Sequence, residues 1–99
     1  MRSIHLATVD KLRPVLVLTR EVALPYLTRV TVAPITSTVR GLAVEVPLGI
    51  ANGLDHDCVV NLDGVTTIPA ASLGAQVGFL LDSQETDLVA AIHAAYDLD

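Results

Sequence analysis

An arginine and a cluster of hydroxyl groups lie at the ends of two apolar, strand-like segments. Arg13 precedes the apolar run 14–18, and Thr36-Ser37-Thr38 follows the mainly β-branched run 30–35. A guanidinium offers a planar fork of N–H donors that matches two phosphate oxygens, and hydroxyls add donors without charge. Together these groups could stabilise the negative charge that grows on a phosphorane. The residues alone leave a second interpretation open, in which Arg13 is a surface residue at a strand end and the threonines are ordinary strand formers.

Short strands must position these groups, because brief β-branched or aliphatic runs alternate with turn residues along the chain. We predict seven strands, over residues 2–7, 13–20, 28–36, 42–46, 58–62, 65–68 and 76–80. Pro34 indicates an edge or a bulge, and Asp63-Gly64 predicts a hairpin turn. A helix of about 14 residues follows from Asp82 or Ser83, with Glu85 placed for a capping box. These elements predict a mainly β fold with a C-terminal α-helix, arranged as a small closed or half-open antiparallel barrel.

The size and composition of the chain limit its class. Its 99 residues favour one domain over positions 1–99. Hydrophobic residues make up 52% of the chain, yet only Tyr26, Phe79 and Tyr96 are aromatic, so the core must be aliphatic. This much apolar surface also favours a buried homodimer interface. No apolar run reaches the roughly 18 residues that span a bilayer, and the single cysteine, Cys58, excludes an intrachain disulfide. We expect a bacterial-type protein of the cytoplasm, with no membrane partner.

Charge is divided unevenly along the chain. The net charge of −5 argues against a nucleic-acid binder, but all six basic residues lie in the first 40 positions, which hold only two acids. Residues 41–99 hold nine acids and neither lysine nor arginine. A small basic face on an acidic body is one interpretation, since a local field steers a ligand more than the net charge does. Scattered, solvated arginines are the other. Any binding to nucleic acid should weaken as salt is added.

The sequence predicts no metal site and no cofactor. His5, His56 and His93 are far apart, and neither an HExxH nor a CxxC spacing occurs. His56 lies between Asp55 and Asp57, which leaves open a loop ligand, a pH-sensitive contact or a plain turn. The chain also lacks a glycine-rich phosphate loop and a nucleophile elbow. Arg13 and the hydroxyl cluster therefore remain the strongest candidates for chemistry.

The motifs around these candidates also resemble a known family. Arg13-Pro14-Val15 and Pro34-Ile35-Thr36 are similar to the two motifs that carry the essential arginine and hydroxyl in the MazF/PemK toxins, which cut single-stranded RNA. Further similar segments, in the same order, are Arg40-Gly41-Leu42, Glu45-Val46-Pro47-Leu48, residues 53–63, Thr67-Ile68 and the terminal helix. Each motif is weak by itself, but the ordered set covers nearly the whole chain.

The resemblance implies a fold, an activity and partners. The fold would be the SH3-like barrel of the CcdB/MazF/PemK type. The activity would be metal-independent, sequence-specific cleavage of single-stranded RNA, in which the 2′-hydroxyl attacks the adjacent phosphorus and leaves 2′,3′-cyclic phosphate and 5′-hydroxyl ends. Arg13 and Thr36 would be catalytic, and Lys11, Ser37, Thr38 and Arg40 would be secondary RNA contacts. The partners would be a second copy of the chain, in a homodimer, and a MazE-like antitoxin.

The chain departs from the family pattern at three places. Family members usually begin with Arg-Gly-acid-apolar-Trp, whereas residues 2–6 here read Arg-Ser-Ile-His-Leu. The loop before Arg13 spans only about residues 8–12, although the family's longer loop covers the active site and helps to select the RNA. Gly64 replaces a polar amide that often follows the acid in this segment. We therefore expect these departures to change which RNA sequence is preferred and how open the RNA-binding groove is.

Two other functions remain open from the residues. CcdB toxins share this barrel but poison DNA gyrase by protein contact, through a tryptophan at the end of their helix. This chain ends with Tyr96-Asp97-Leu98-Asp99 and has no tryptophan. The third possibility is a non-catalytic barrel that only binds RNA or a protein partner. Product ends would separate the three functions.

Overall fold

The fold is a strongly curled antiparallel sheet with one helix. The computed structural model describes residues 1–98. Its elements are β1 (Ser3–Thr8), β2 (Leu12–Val17), β3 (Arg29–Thr36), β4 (Glu45–Leu48), β5 (Cys58–Asn61), β6 (Thr66–Pro69), β7 (Gln76–Phe79) and α1 (Glu85–Ala95). The strand order is β4-β5-β3-β2-β1-β7, and β6 pairs with β3 outside this path. The predicted mainly β fold with a C-terminal helix is confirmed, as a half-barrel. Among residues 1–98, no helix combines the length and the apolar character needed to cross a membrane.

Both faces of the central sheet are buried, which fixes the strands that carry the candidate residues. Strand β2 buries Val15, Leu16 and Val17 in succession. The Leu16 side chain packs in the cluster that includes Leu88 and Ala91 of the helix. Val15 and Val17 pack in a second cluster on the opposite face. Because both clusters pack against β2, the end of the strand that carries Arg13 is fixed in position.

Strand β3 changes partner halfway along its length. Its first half, Arg29 to Val32, pairs with β6, and its last two residues, Ile35 and Thr36, pair with β5. Pro34 lies in the gap between these partners, opposite Val15 of β2. The expectation of an edge strand is wrong for β3 as a whole, because β3 has strands on both sides, although neither β5 nor β6 pairs with it at Pro34 itself. A proline is accommodated here since the ladder is already interrupted.

The predicted hairpin at Asp63-Gly64 is also wrong, because β5 and β6 do not pair with each other. Residues 62–64 form a 3₁₀ turn in which the Asn61 side chain accepts a hydrogen bond from the Asp63 N–H at 2.9 Å. Leu62 is buried in the core and anchors the turn. A side chain at Gly64 would place its Cβ 2.7 Å from Pro34 Cγ. This close approach accounts for glycine where the family often has an amide residue.

The helix begins later than predicted. Residues 82–84 form a 3₁₀ turn, and α1 starts at Glu85 and has 11 residues. The expected capping box from Asp82 to Glu85 is absent. Instead, Gln84 Oε1 accepts hydrogen bonds from the Leu81 N–H at 2.9 Å and from Asn52 Nδ2 at 2.6 Å. Glu85 forms an ion pair with Arg2 Nε at 2.9 Å.

The largest differences from the predicted strand bounds are at the end of β2 and the start of β4. Strand β2 ends at Val17 rather than near residue 20, because residues 21–26 turn as a 3₁₀ segment. Strand β4 begins at Glu45 rather than at residue 42. Residues 40–44 instead form a loop folded around the Glu45 carboxylate, which accepts hydrogen bonds from the N–H groups of Arg40 and Leu42. Gly41, at φ 72°, supplies the left-handed residue that this loop needs.

Candidate functional site

Arg13 and Thr36 meet at one end of the β2–β3 pair. The two strands are antiparallel, with Val15 opposite Pro34 and Leu16 opposite Ala33. Continuing this register by two residues places Arg13 across from Thr36. Side chains opposite each other in an antiparallel pair are close neighbours. Both residues line the same two concavities, so the structure brings together the arginine and the hydroxyl that the sequence singled out.

The Arg13 guanidinium is largely enclosed, with 16% of its side chain exposed. Its Nη2 donates to Asp10 Oδ2 at 3.0 Å. Its Nε is buried and has no hydrogen-bond partner within residues 1–98. A buried N–H group without an acceptor is costly and rare in folded proteins. Because Nε is covered by the protein, a phosphate oxygen would have to approach the guanidinium at its terminal nitrogens, from the concavities that Arg13 lines.

Asp10 reaches Arg13 because the connection between β1 and β2 is short. Thr8 pairs with Leu12, so only residues 9–11 form the turn. Desolvation raises the pKa of Asp10, but the hydrogen bond from the Lys11 N–H and the charges of Arg13 and Lys11 outweigh it, so the net pKa is lowered. Asp10 thus remains an anion beside Arg13. The short loop that departs from the family pattern supplies this carboxylate.

Thr36 is half-buried at the last position of β3. Its Oγ1 accepts a hydrogen bond from the Thr38 N–H at 3.1 Å. A hydroxyl has one proton to donate as well as lone pairs to accept. With its oxygen held by the Thr38 backbone, the Thr36 hydroxyl keeps its own proton available for an acceptor on the open side of the sheet.

The first concavity has a volume of about 180 Å³ and lies on one side of the Arg13–Thr36 pair. We call it the apolar-walled concavity. Its lining residues are Lys11, Leu12, Arg13, Pro14, Ile35, Thr36, Ser37, Leu54, Asp55, His56 and Cys58. Its apolar and polar surfaces are similar in extent, which makes it the more apolar of the two concavities, and Lys11 and Arg13 contribute positive charge to its lining. Such a surface suits a planar, partly apolar group attached to an anion.

The second concavity is also about 180 Å³ and is more polar. It is lined by Arg13, Pro34, Thr36, Thr38, Arg40, Glu45 and Asn61. The Glu45 carboxylate is already occupied by backbone N–H groups of the loop that starts at Arg40. On this side, the side chains of Thr38, Arg40 and Asn61 therefore add potential donors to those of Arg13 and Thr36.

All six predicted site residues line one concavity or the other. Arg13 and Thr36 line both, Lys11 and Ser37 line the first, and Thr38 and Arg40 line the second. Sequence reasoning missed Asp10 as the partner of Arg13, although its position three residues earlier, in a short turn, was a signal. It also missed Asn61, and it placed His56 and Asp55 in a loop without locating that loop beside Arg13.

Neither a metal centre nor a reactive thiol is evident in the described part of the chain. Among residues 1–98, no group of three His, Cys, Asp or Glu side chains is arranged to hold a metal ion. Cys58 is buried. Desolvation raises the pKa of its thiol, and the nearby charges of Asp55 and Asp57 add to this shift. A raised pKa keeps a thiol protonated and unreactive.

Comparison with known proteins identifies relatives over the full chain. Endoribonuclease MazF3 of Mycobacterium tuberculosis is 61% identical over 99 residues, which are 100% of this chain and 96% of that protein. The solved Mycobacterium tuberculosis toxin MazF-mt6 superimposes with a TM-score of 0.96 at 60% identity and 99% coverage of both chains. A third structure, an endoribonuclease in complex with its cognate antitoxin from Mycobacterial species, has the same fold, with a TM-score of 0.86 at 19% identity over 98% of this chain and 93% of that one.

The family model for PemK-like, MazF-like toxins of type II toxin–antitoxin systems matches residues 6–95. This span contains both strands of the candidate site and all of α1. The matched residues and the full-length identity agree with the motifs around Arg13 and Thr36. This chain therefore belongs to the PemK-like, MazF-like toxins of type II toxin–antitoxin systems.

Proposed function

We propose that this chain is an endoribonuclease toxin that cleaves single-stranded RNA at preferred sequences. The identity of 61% to a protein named an endoribonuclease supports this class of activity. The site supports it independently, because a cation, hydroxyls and two concavities converge on one place.

The proposed reaction is a transesterification within the RNA. The 2′-hydroxyl attacks the adjacent phosphorus, the P–O2′ bond forms and the P–O5′ bond breaks, which leaves a 2′,3′-cyclic phosphate and a 5′-hydroxyl end. Arg13 would donate to the phosphate oxygens and stabilise their growing charge. Thr36 would donate a further hydrogen bond to the same phosphate. The single observation that carries this proposal is that Arg13 and Thr36, one cation and one hydroxyl, line the same two concavities.

Single strands are the expected substrate because in-line attack needs a flexible backbone and unpaired bases can be read at their edges. Lys11, Ser37, Thr38 and Arg40 are proposed as secondary RNA contacts. They are exposed and surround Arg13 and Thr36 on both sides. Equal cutting of a duplex and of its separated strand would contradict this part of the proposal.

Cleavage should need no metal ion and no cofactor. The proposed roles use only hydrogen-bond donors and a permanent cation. The test is incubation of purified protein with a long, mixed-sequence RNA in EDTA. We expect discrete cuts whose 5′ ends accept phosphate from polynucleotide kinase without prior phosphatase treatment, as 5′-hydroxyl ends do. Cuts that appear only after magnesium is added, or ends that need phosphatase first, would contradict the proposed chemistry.

A homodimer and a MazE-like antitoxin are the proposed partners. An antitoxin complex is known for a structure with this fold. The turn at residues 21–26 exposes 77% of Val22 and 85% of Tyr26, which is apolar surface that an interface would cover. The basic first 40 residues suit an acidic antitoxin segment. Light scattering at micromolar concentration should report a dimer, and a monomer would count against it.

A further inference from the structure

We infer that the apolar-walled concavity is a nucleobase subsite in which the His56 ring stacks on the base next to the scissile phosphate. This inference rests on the proposed RNA cleavage. It assigns a ligand class to a surface that the roles of Arg13 and Thr36 leave unused. His56 would contribute to RNA binding and leave the bond-breaking step to Arg13 and Thr36.

The place of the concavity supports this inference. It shares Arg13 and Thr36 with the proposed phosphate site, so a phosphate held there puts one flanking nucleotide at its mouth. Its volume of about 180 Å³ corresponds to roughly six water molecules in the liquid. That space is sufficient for one planar base.

The wall of the concavity suits one face of a base. Leu12 is exposed and contributes apolar surface, whereas Ile35 and Leu54 are buried and present only small areas. Lys11 and Arg13 contribute positive charge. Asp55 is the one carboxylate in the lining, and it already accepts a hydrogen bond from His56 Nδ1. Asp57 lies on the other side of the loop, against Gly49.

His56 carries the one aromatic ring among the residues that line this concavity. The three aromatic residues, Tyr26, Phe79 and Tyr96, line neither the apolar-walled concavity nor the polar one. RNA-binding proteins commonly stack unpaired bases on aromatic or histidine rings. The hydrogen bond to Asp55 restrains the imidazole, and 58% of the His56 side chain remains exposed for contact.

The test pairs His56 variants with RNAs that lack one base. His56→Ala should lower kcat/KM on intact RNA about 10-fold, within the usual range for loss of one stacked base. His56→Phe should keep most of the activity because it keeps a ring, whereas His56→Gln should behave like His56→Ala. His93→Ala is the matched control, because His93 is exposed on α1 and lines neither concavity.

The same variants are then measured on two RNAs, each with an abasic ribose on one side of the cut. On one of these RNAs, the loss caused by His56→Ala should fall below about 2-fold, because the base that would stack is gone. The same loss on intact RNA and on both abasic RNAs, or no loss on any of them, would overturn the subsite. Failure of the wild-type protein to cut any RNA would instead overturn the proposed function itself, so the two failures are distinguishable.

Discussion

Asp10 accepts a hydrogen bond from one nitrogen of the Arg13 guanidinium, and a second nitrogen has no hydrogen-bond partner within residues 1–98. Nη2 donates to Asp10 Oδ2 at 3.0 Å, while the buried Nε has no partner within residues 1–98. The ion pair therefore orients the guanidinium without exhausting its donors. Asp10 thus positions Arg13, which in the proposed mechanism is the group that touches the phosphate.

Replacing Asp10 should impair cleavage without unfolding the protein. Asp10→Ala removes the anchor of Arg13, and we expect kcat/KM to fall about 10-fold or more, since a small displacement of a catalytic group is costly. The thermal midpoint should barely change, because 70% of the Asp10 side chain is exposed and such ion pairs contribute little to stability. Asp10→Glu should recover part of the activity. The control is Asp87→Asn, on the exposed face of α1, which should cut like the wild type. If Asp10→Ala also cut RNA at the wild-type rate, Asp10 would have no role in positioning Arg13.

The same ion pair gives a pH prediction. The pKa of Asp10 is lowered in the folded protein by the Lys11 N–H and by the charges of Arg13 and Lys11, against the desolvation that raises it. A lowered pKa means that the ion pair is complete above the unfolded value of about 3.9 and is lost as pH falls through the folded value. An NMR titration of the Asp10 carboxyl should show this lowered pKa, and Arg13→Ala should move it upward. A pKa that does not respond to Arg13→Ala would show that the guanidinium charge does not act on Asp10.

Thr36 should matter for its hydroxyl and not for its shape. Thr36→Val keeps a β-branched side chain at the end of β3 but removes the donor, so we expect a fall of about 100-fold in kcat. Thr36→Ser keeps the hydroxyl and should retain much of the activity. Thr67→Val is the control, since Thr67 is an exposed strand residue whose hydroxyl meets Thr31 instead. Equal activities of the valine and serine variants would remove Thr36 from the mechanism.

Asn52 should matter for stability, because it connects three parts of the fold. It is 2% exposed, its Oδ1 accepts from the Gly49 N–H at 3.1 Å, and its Nδ2 donates to Phe79 O at 3.1 Å and to Gln84 Oε1. Asn52→Ala leaves these groups unpaired, so the free energy of unfolding should fall by about 1–3 kcal/mol. Urea denaturation measures this change. Gln76→Ala, at an exposed position of β7, is the control. If Asn52→Ala lowered the free energy of unfolding no more than this control does, the stabilising role of Asn52 would be contradicted.

The sequence predicts the strands and the candidate pair well because the signals are local. Aliphatic runs mark β2 and β3, and antiparallel pairing of neighbouring strands then brings Arg13 and Thr36 to one end. The turn at Asp63-Gly64 has the composition of a hairpin, yet burial of Leu62 and the partner change of β3 direct the chain across the sheet. Composition near a turn does not reveal which strands pair, so this part could not be predicted locally.

The start of the helix and the surroundings of Arg13 depend on contacts distant in sequence. Gln84 caps its turn with help from Asn52, 32 residues away, so the local match between Asp82 and Glu85 is misleading. His56 lies beside Arg13 only because the loop before β5 folds over the end of β2 and β3. Such contacts arise from the tertiary fold and leave no periodic pattern in the sequence.

The most direct test of the account compares Arg13→Ala with Arg29→Ala for cleavage of mixed-sequence RNA in EDTA. Arg29 is the matched control, because it is an exposed arginine at the other end of β3 whose side chain, among residues 1–98, hydrogen-bonds only to the Thr67 carbonyl. We expect Arg29→Ala to cut like the wild type and Arg13→Ala to lose at least about 100-fold in rate. Cleavage by Arg13→Ala at the wild-type rate would contradict the central role of Arg13.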